Sequence, residues 1–167
     1  MEAIRAKSAL HGPPNPDRRY LRSMDHAPDA CPTTLELRID WSEIDAYGHV
    51  NNLAIMRYVQ SARVHLLEGV GMMQHHAETG VGPVLASTSC QFKQQLHYPG
   101  NVTVRARVDH LKNTSFQITH AVFNEAQELV AEAHDVLVMF DFRKNTKSPI
   151  PPFLRERFTA LGASSTL

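Results

Sequence analysis

Excess charge of either sign is missing from this chain. Its 17 Lys and Arg balance 17 Asp and Glu, for a formal net charge of zero over 167 residues. A protein that grips a nucleic-acid backbone or an anionic membrane carries a basic face, and here the cations are scattered without a dense cluster. No apolar run approaches the ~20 residues of a membrane-spanning helix. The first residues also lack the apolar stretch of a secretory signal, because Arg5, Lys7 and His11 interrupt it. Cysteine is scarce. Cys31 and Cys90 lie far apart, one in a proline-rich leader and one in a strand-like run, so no disulfide is expected and the count suits a reducing cytoplasm. A metal-ligand pattern is missing too: the ten histidines are dispersed, and none has the helical His-x-x-x-His spacing with a nearby glutamate. The tandem His75-His76 points to two helix faces and reads as surface. What remains is a soluble, cytoplasmic chain of single-domain size, with no metal, nucleic acid or membrane among its expected partners.

What is present falls into order along the chain. Residues 1–32 read as a flexible leader, broken by Pro13, Pro14, Pro16, Pro28 and Pro32. From Thr34 to Trp41 apolar and polar residues alternate, which predicts a strand with Leu35, Leu37, Ile39 and Trp41 on one face. Apolar residues at 55, 56, 59, 62, 66 and 67 predict an amphipathic helix from Leu53 to about Leu67, capped by Asn51 or Asn52 and stopped at Gly69 and Gly71. Residues 72–78 suggest a short helical turn. Strands are expected over 84–94, 101–110, 115–123 and 128–142, with a short helix over 153–161 and a tail from 159. A strand, a long helix and four further strands in a meander imply an α+β domain over 33–158, its helix covering one face of an antiparallel sheet of about five strands. Open sheet edges invite pairing with a second copy.

Between the first strand and the helix stands Asp45-Ala46-Tyr47-Gly48-His49-Val50-Asn51-Asn52. A carboxylate there can act as general base or as nucleophile. The start of the helix offers unpaired N–H groups and the positive end of a dipole, suited to an oxygen that gains charge. Gly48 allows a close backbone approach or a positive φ. The plainer readings stand beside these: Asp45 as a turn or helix-entry residue, Asn51 and Asn52 as caps, His49 as an organiser of the loop, and Tyr58 as core packing.

The motif resembles that of the 4-hydroxybenzoyl-CoA thioesterase-like acyl-CoA thioesterases, which have the hotdog fold. The resemblance extends through Arg57-Tyr58 and Ala62-Arg63, through Phe92 to Gly100, through Thr114-Ser115-Phe116 and into the segment from Asp141 to Pro152, covering about residues 34–158. It implies a long helix wrapped by a curved sheet and a homodimer or homotetramer. It further implies an active site at the dimer interface and no metal or organic cofactor. The substrate implied is a fatty or aromatic acyl-CoA, hydrolysed to free acid and CoA. Asp45 matches the family's catalytic carboxylate and the Asn52 backbone N–H the amide that polarises the thioester, with His49 an assistant. Gly48, Val50, Asn51, Tyr58 and Ser115 match substrate-binding positions. Some hotdog thioesterases use a helix glutamate instead, but here Gln60 stands where that acid is common and the first acid on the helix is Glu68, which concentrates the chemistry on Asp45. A non-catalytic acyl-CoA or acyl-carrier-protein binding module is the alternative.

Overall fold

The architecture comes from a computed structural model, which describes residues 33–163. The leader, with Cys31 and its prolines, lies outside the described residues, as do the last four residues of the tail. Strand β1 (Thr33–Arg38) turns Leu35 and Leu37 toward the core while Thr34, Glu36 and Arg38 face out. The alternation stops earlier than the sequence pattern suggests. Asp40 caps a short 3₁₀ turn at Trp41–Glu43: its carboxylate accepts the Ser42 N–H at 2.8 Å, and its own N–H donates to the Glu43 carboxylate at 2.9 Å. This reciprocal capping redirects the chain, so Trp41 is 73% exposed instead of facing inward with Leu37.

Helix α1 (Asn52–Gly69) follows, then α2 (Met72–Thr79), a full helix where only a turn was expected. His75, on α2, has its ring against Phe153 and a buried Nε2, so only His76 of the tandem is exposed. The long strands are β2 (Val81–Phe92), β3 (Asn101–Asp109), β4 (Ser115–Phe123) and β5 (Leu129–Asp141). A two-residue β6 (Thr146–Lys147) pairs with β5, and α3 (Pro152–Ala160) closes the fold.

All strand pairs are antiparallel, but the lateral order is β1-β3-β4-β5-β2. The expected run of four neighbouring strands is therefore corrected: β3, β4 and β5 form the meander, and β2 crosses to the far side of β5. Period-two patterning shows which face a residue takes and carries no information on which strand lies beside it. The edge position of β2 also explains why Pro83 is tolerated inside it, since a proline cannot donate to a neighbour on both sides. Residues 131, 133 and 137 of β5, Phe116, Ile118, His120 and Val122 of β4, and Val104 and Ala106 of β3 are buried on one face. Helix α1 packs on β1, β3 and β4 through a stripe that includes Ala54, Ile55, Tyr58, Val59, Ala62 and Leu66. Phe158 of α3 packs on Phe116 with ring centroids 4.9 Å apart. The result is the expected α+β layering of a helix on a sheet. Among the described residues no helix is long and apolar enough to cross a membrane.

Candidate active site

The loop from Ile44 to Asn51 is built by its own backbone. Ile44 and Val50 form an isolated antiparallel bridge, so the residues between them are held as a tight excursion. Asp45 sits at its root. Its N–H donates to the His49 carbonyl at 2.8 Å, and its Oδ1 accepts the N–H groups of Tyr47 at 2.8 Å and His49 at 3.2 Å. Among the described residues the second carboxylate oxygen has no hydrogen-bond partner. Asp45 thus orders the turn with one oxygen and leaves the other unengaged. Gly48 has φ of 79° with open space where a Cβ would stand, so backbone conformation, not crowding, requires glycine here. The His49 ring meets His97 edge-on, with centroids 5.1 Å apart.

At the start of α1, Asn51 is the cap: its side-chain oxygen accepts the Leu53 N–H at 2.8 Å. Its own N–H donates to the Glu43 carbonyl at 2.8 Å. That leaves the Asn52 N–H without an acceptor among the described residues, in the position where the helix dipole is most positive. The sequence pattern did not single out Glu43, yet it ties this region together. Its carboxylate accepts the Asp40 N–H, the Tyr58 hydroxyl and, at 3.2 Å, the Arg57 guanidinium. Burial and the Glu43 carboxylate push the Tyr58 hydroxyl well above its usual pKa, so it stays a donor.

A cavity of about 570 Å³ opens beside this helix start. Glu43, Ile44 and Asn51 border one end of its lining, Ala54 and Val59 follow along α1, and Arg63 and Thr88 stand with the remaining wall residues. Of the residues assigned to substrate, Asn51 lines this cavity. Val50 and Tyr58 do not: they are 5% and 4% exposed in the core, where Val50 is drawn in by the bridge and by its N–H bond to the Leu96 carbonyl. Asp45 and His49 lie outside the lining, and Ser115 lines a separate cavity of about 330 Å³ with Gln117 and Val136.

A match to the thioesterase-like superfamily spans residues 39–158, from the end of the first strand into the last helix. The chain belongs to the thioesterase-like superfamily. Over 126 residues it is 27% identical to the acyl-acyl carrier protein thioesterase ATL3 of Arabidopsis thaliana chloroplasts, which covers 74% of this chain and 66% of that protein. The chain therefore spans just under two thirds of that relative. Among solved structures, the PA5185 protein of Pseudomonas aeruginosa is 29% identical with a TM-score of 0.68, covering 80% of this chain and 93% of that one. The gentisyl-coenzyme A thioesterase BH1999 is 25% identical with a TM-score of 0.66, covering 75% and 98%. The long helix against a curled antiparallel sheet is the hotdog arrangement.

Within this superfamily member, one charged cluster escaped the sequence reading. Asp135 on β5 and His120 on β4 are both 0% exposed on the helix-facing side of the sheet, and His120 Nε2 lies 3.0 Å from Asp135 Oδ2. Arg63 of α1 donates to the same oxygen at 2.7 Å. Burial pushes the Asp135 carboxyl up, but His120, the cross-strand Thr88 hydroxyl and Arg63 outweigh it and hold the group at about 2. Asp135 Oδ1 itself has no hydrogen-bond partner among the described residues. The signal that could have revealed this cluster was a histidine in phase with Phe116, Ile118 and Val122, a polar residue at a core-facing position. Among the described residues no group of three or more His, Cys, Asp or Glu is placed to hold a metal ion.

Proposed function

We propose that the chain is a thioester hydrolase that cleaves a fatty or aromatic acyl-CoA to the free acid and CoA. The observation that carries this reading is the unpartnered Asn52 N–H at the start of α1, a short loop away from a carboxylate with one unengaged oxygen. In this reaction the thioester carbonyl accepts the Asn52 N–H, which stabilises the oxyanion as it forms. Asp45 then either takes a proton from water as the water attacks or attacks the carbonyl itself. In the general-base route the tetrahedral intermediate collapses as the proton held by Asp45 passes to the departing sulfur, giving the acid and the CoA thiol. Direct attack by Asp45 expels the CoA thiolate, which takes a proton from solvent, and leaves a mixed anhydride that one water cleaves to the free acid and the restored carboxylate. His49, at the end of the same turn, assists as a proton carrier, and Gly48 keeps the turn tight beneath the ligand. The names of the relatives support both CoA and carrier-protein thioesters as the substrate class.

The proposal includes a homodimer in a cytoplasmic setting. Strand β2 is an edge of the sheet, and Val84, Leu85 and Phe92 along it are 40%, 39% and 49% exposed, a surface that edge-to-edge pairing with a second copy would cover. Cys90 on the same strand is a free thiol, in keeping with a reducing compartment.

One observation favours a second reading, a non-catalytic acyl-CoA or acyl-carrier-protein binding module: Asp45 is not part of the cavity lining. Release of free thiol from a panel of aliphatic and aromatic acyl-CoAs separates the two. Thiol release at a rate proportional to enzyme supports hydrolysis. Thermal stabilisation by the esters without thiol release supports binding alone and overturns the hydrolase reading.

A further inference from the structure

We propose that Arg63 forms a specificity subsite at the far end of the cavity, taking a hydrogen-bond-accepting oxygen at the terminus of the acyl group. The proposal rests on the thioesterase reading for the identity of its ligand, and it deepens that reading by naming the kind of acyl chain. From Asn52 to Arg63 the helix advances ~16 Å at ~1.5 Å per residue, so the subsite stands a medium-length acyl chain away from the oxyanion donor. Between them the lining carries Ala54, Met56, Val59 and Leu85 beside the polar Arg57 and Gln60, and Arg63 and Thr88 join it.

The guanidinium is built to receive a ligand and not only to balance a charge. Its side chain is 15% exposed, at the cavity wall, while the Asp135 and His120 side chains behind it are 0% exposed. One N–H donates to Asp135 at 2.7 Å, and among the described residues no other acceptor meets the remaining donors. The pairing is one-pronged, through Nη1 to Oδ2, so the rest of the guanidinium fork is not occupied by Asp135. Asp135, itself bonded to His120 Nε2 at 3.0 Å, fixes the guanidinium from behind, so its orientation is set before any ligand arrives. Because the carboxylate balances the guanidinium charge, the subsite takes an oxygen acceptor, either a neutral hydroxyl or a carboxylate. A chain ending in a methyl group would bury the open donors with nothing to receive them, which is the circumstance in which a polar subsite discriminates strongly.

The test uses dodecanoyl-CoA, ω-hydroxydodecanoyl-CoA and dodecanedioyl-CoA as matched substrates, and the three corresponding free acids as calorimetric ligands. The proteins are wild type, Arg63→Lys, Arg63→Met, and Arg63→Met combined with Asp135→Asn, the last removing both charges so that no buried carboxylate is left alone. Wild type should favour at least one oxygenated ester over dodecanoyl-CoA by about tenfold or more in kcat/KM. Whether the hydroxyl or the carboxylate gains more identifies the source of the oxygen. Arg63→Met and the double variant should lose the preference, the three esters converging in kcat/KM, and Arg63→Lys should keep part of it. Equal kcat/KM for all three esters in wild type, or an equal loss on all three in the variants, would overturn the subsite and leave Arg63 a structural counter-ion. If no ester is turned over, the hydrolase reading fails by itself. The free acids then decide the subsite: tighter binding of an oxygenated acid that disappears in the double variant supports it, and indifference overturns it.

Discussion

Asp45 and His49 are tied to each other twice across the loop: the Asp45 N–H donates to the His49 carbonyl at 2.8 Å, and the His49 N–H donates to the Asp45 carboxylate at 3.2 Å. The side chain proposed as the base is thus also what holds the turn that presents it. Both roles fit because the turn uses Oδ1 alone.

That division predicts different outcomes for two substitutions at one position. Asp45→Asn keeps a side-chain oxygen for the Tyr47 and His49 N–H groups but removes the charge. It should reduce kcat by ~10²–10⁴-fold while leaving chemical-denaturation midpoints nearly unchanged. Asp45→Ala should lose the activity and also about 1 kcal/mol of stability, because the two N–H groups lose their acceptor. Full thiol-release activity in Asp45→Asn would remove this carboxylate from the mechanism.

The cap at the helix start gives a second prediction. Asn51→Ala removes the acceptor of the Leu53 N–H and should destabilise the protein by about 1 kcal/mol in urea titrations. Asn51→Asp retains an acceptor at the positive end of the helix and should match or exceed wild-type stability.

Acid stability should report on the buried cluster. The carboxyl of Asp135 is lowered from 3.8 to about 2, so its contribution is complete above pH about 4 and disappears as pH falls toward 2. A depression of this size corresponds to about 2 kcal/mol. Asp135→Asn leaves Arg63 without its counter-charge and should cost about 3 kcal/mol at pH 7. Thermal melts across pH should show the gap between variant and wild type narrowing from pH 4 to pH 2. A constant gap would mean that Asp135 does not titrate in this way.

The exposed edge of β2 makes a prediction about assembly. Val84→Lys places a charge on the strand proposed to pair with its copy, and it should shift sedimentation toward the monomer with parallel loss of thiol release. A wild-type protein that sediments as a monomer at micromolar concentration would refute edge pairing.

The sequence by itself determined the local layer of this protein. Alternation in β3 and β4 and the apolar stripe from Ile55 to Leu67 specify faces, because side-chain period is a property of one segment and needs no partner. The Asp45–Asn52 motif was legible for a related reason: a carboxylate, a glycine that takes φ of 79°, and a capping asparagine act within one turn. Tertiary structure decided what depends on distant segments. It turned Trp41 outward through the Asp40–Glu43 capping pair and set β2 beside β5. It drew Val50 and Tyr58 into the core, away from the cavity whose wall Asn51 joins. Above all it brought together Arg63, His120 and Asp135, which lie on three elements and up to 72 positions apart. Their meeting depends on strand register and helix packing, and no local pattern in the chain encodes either.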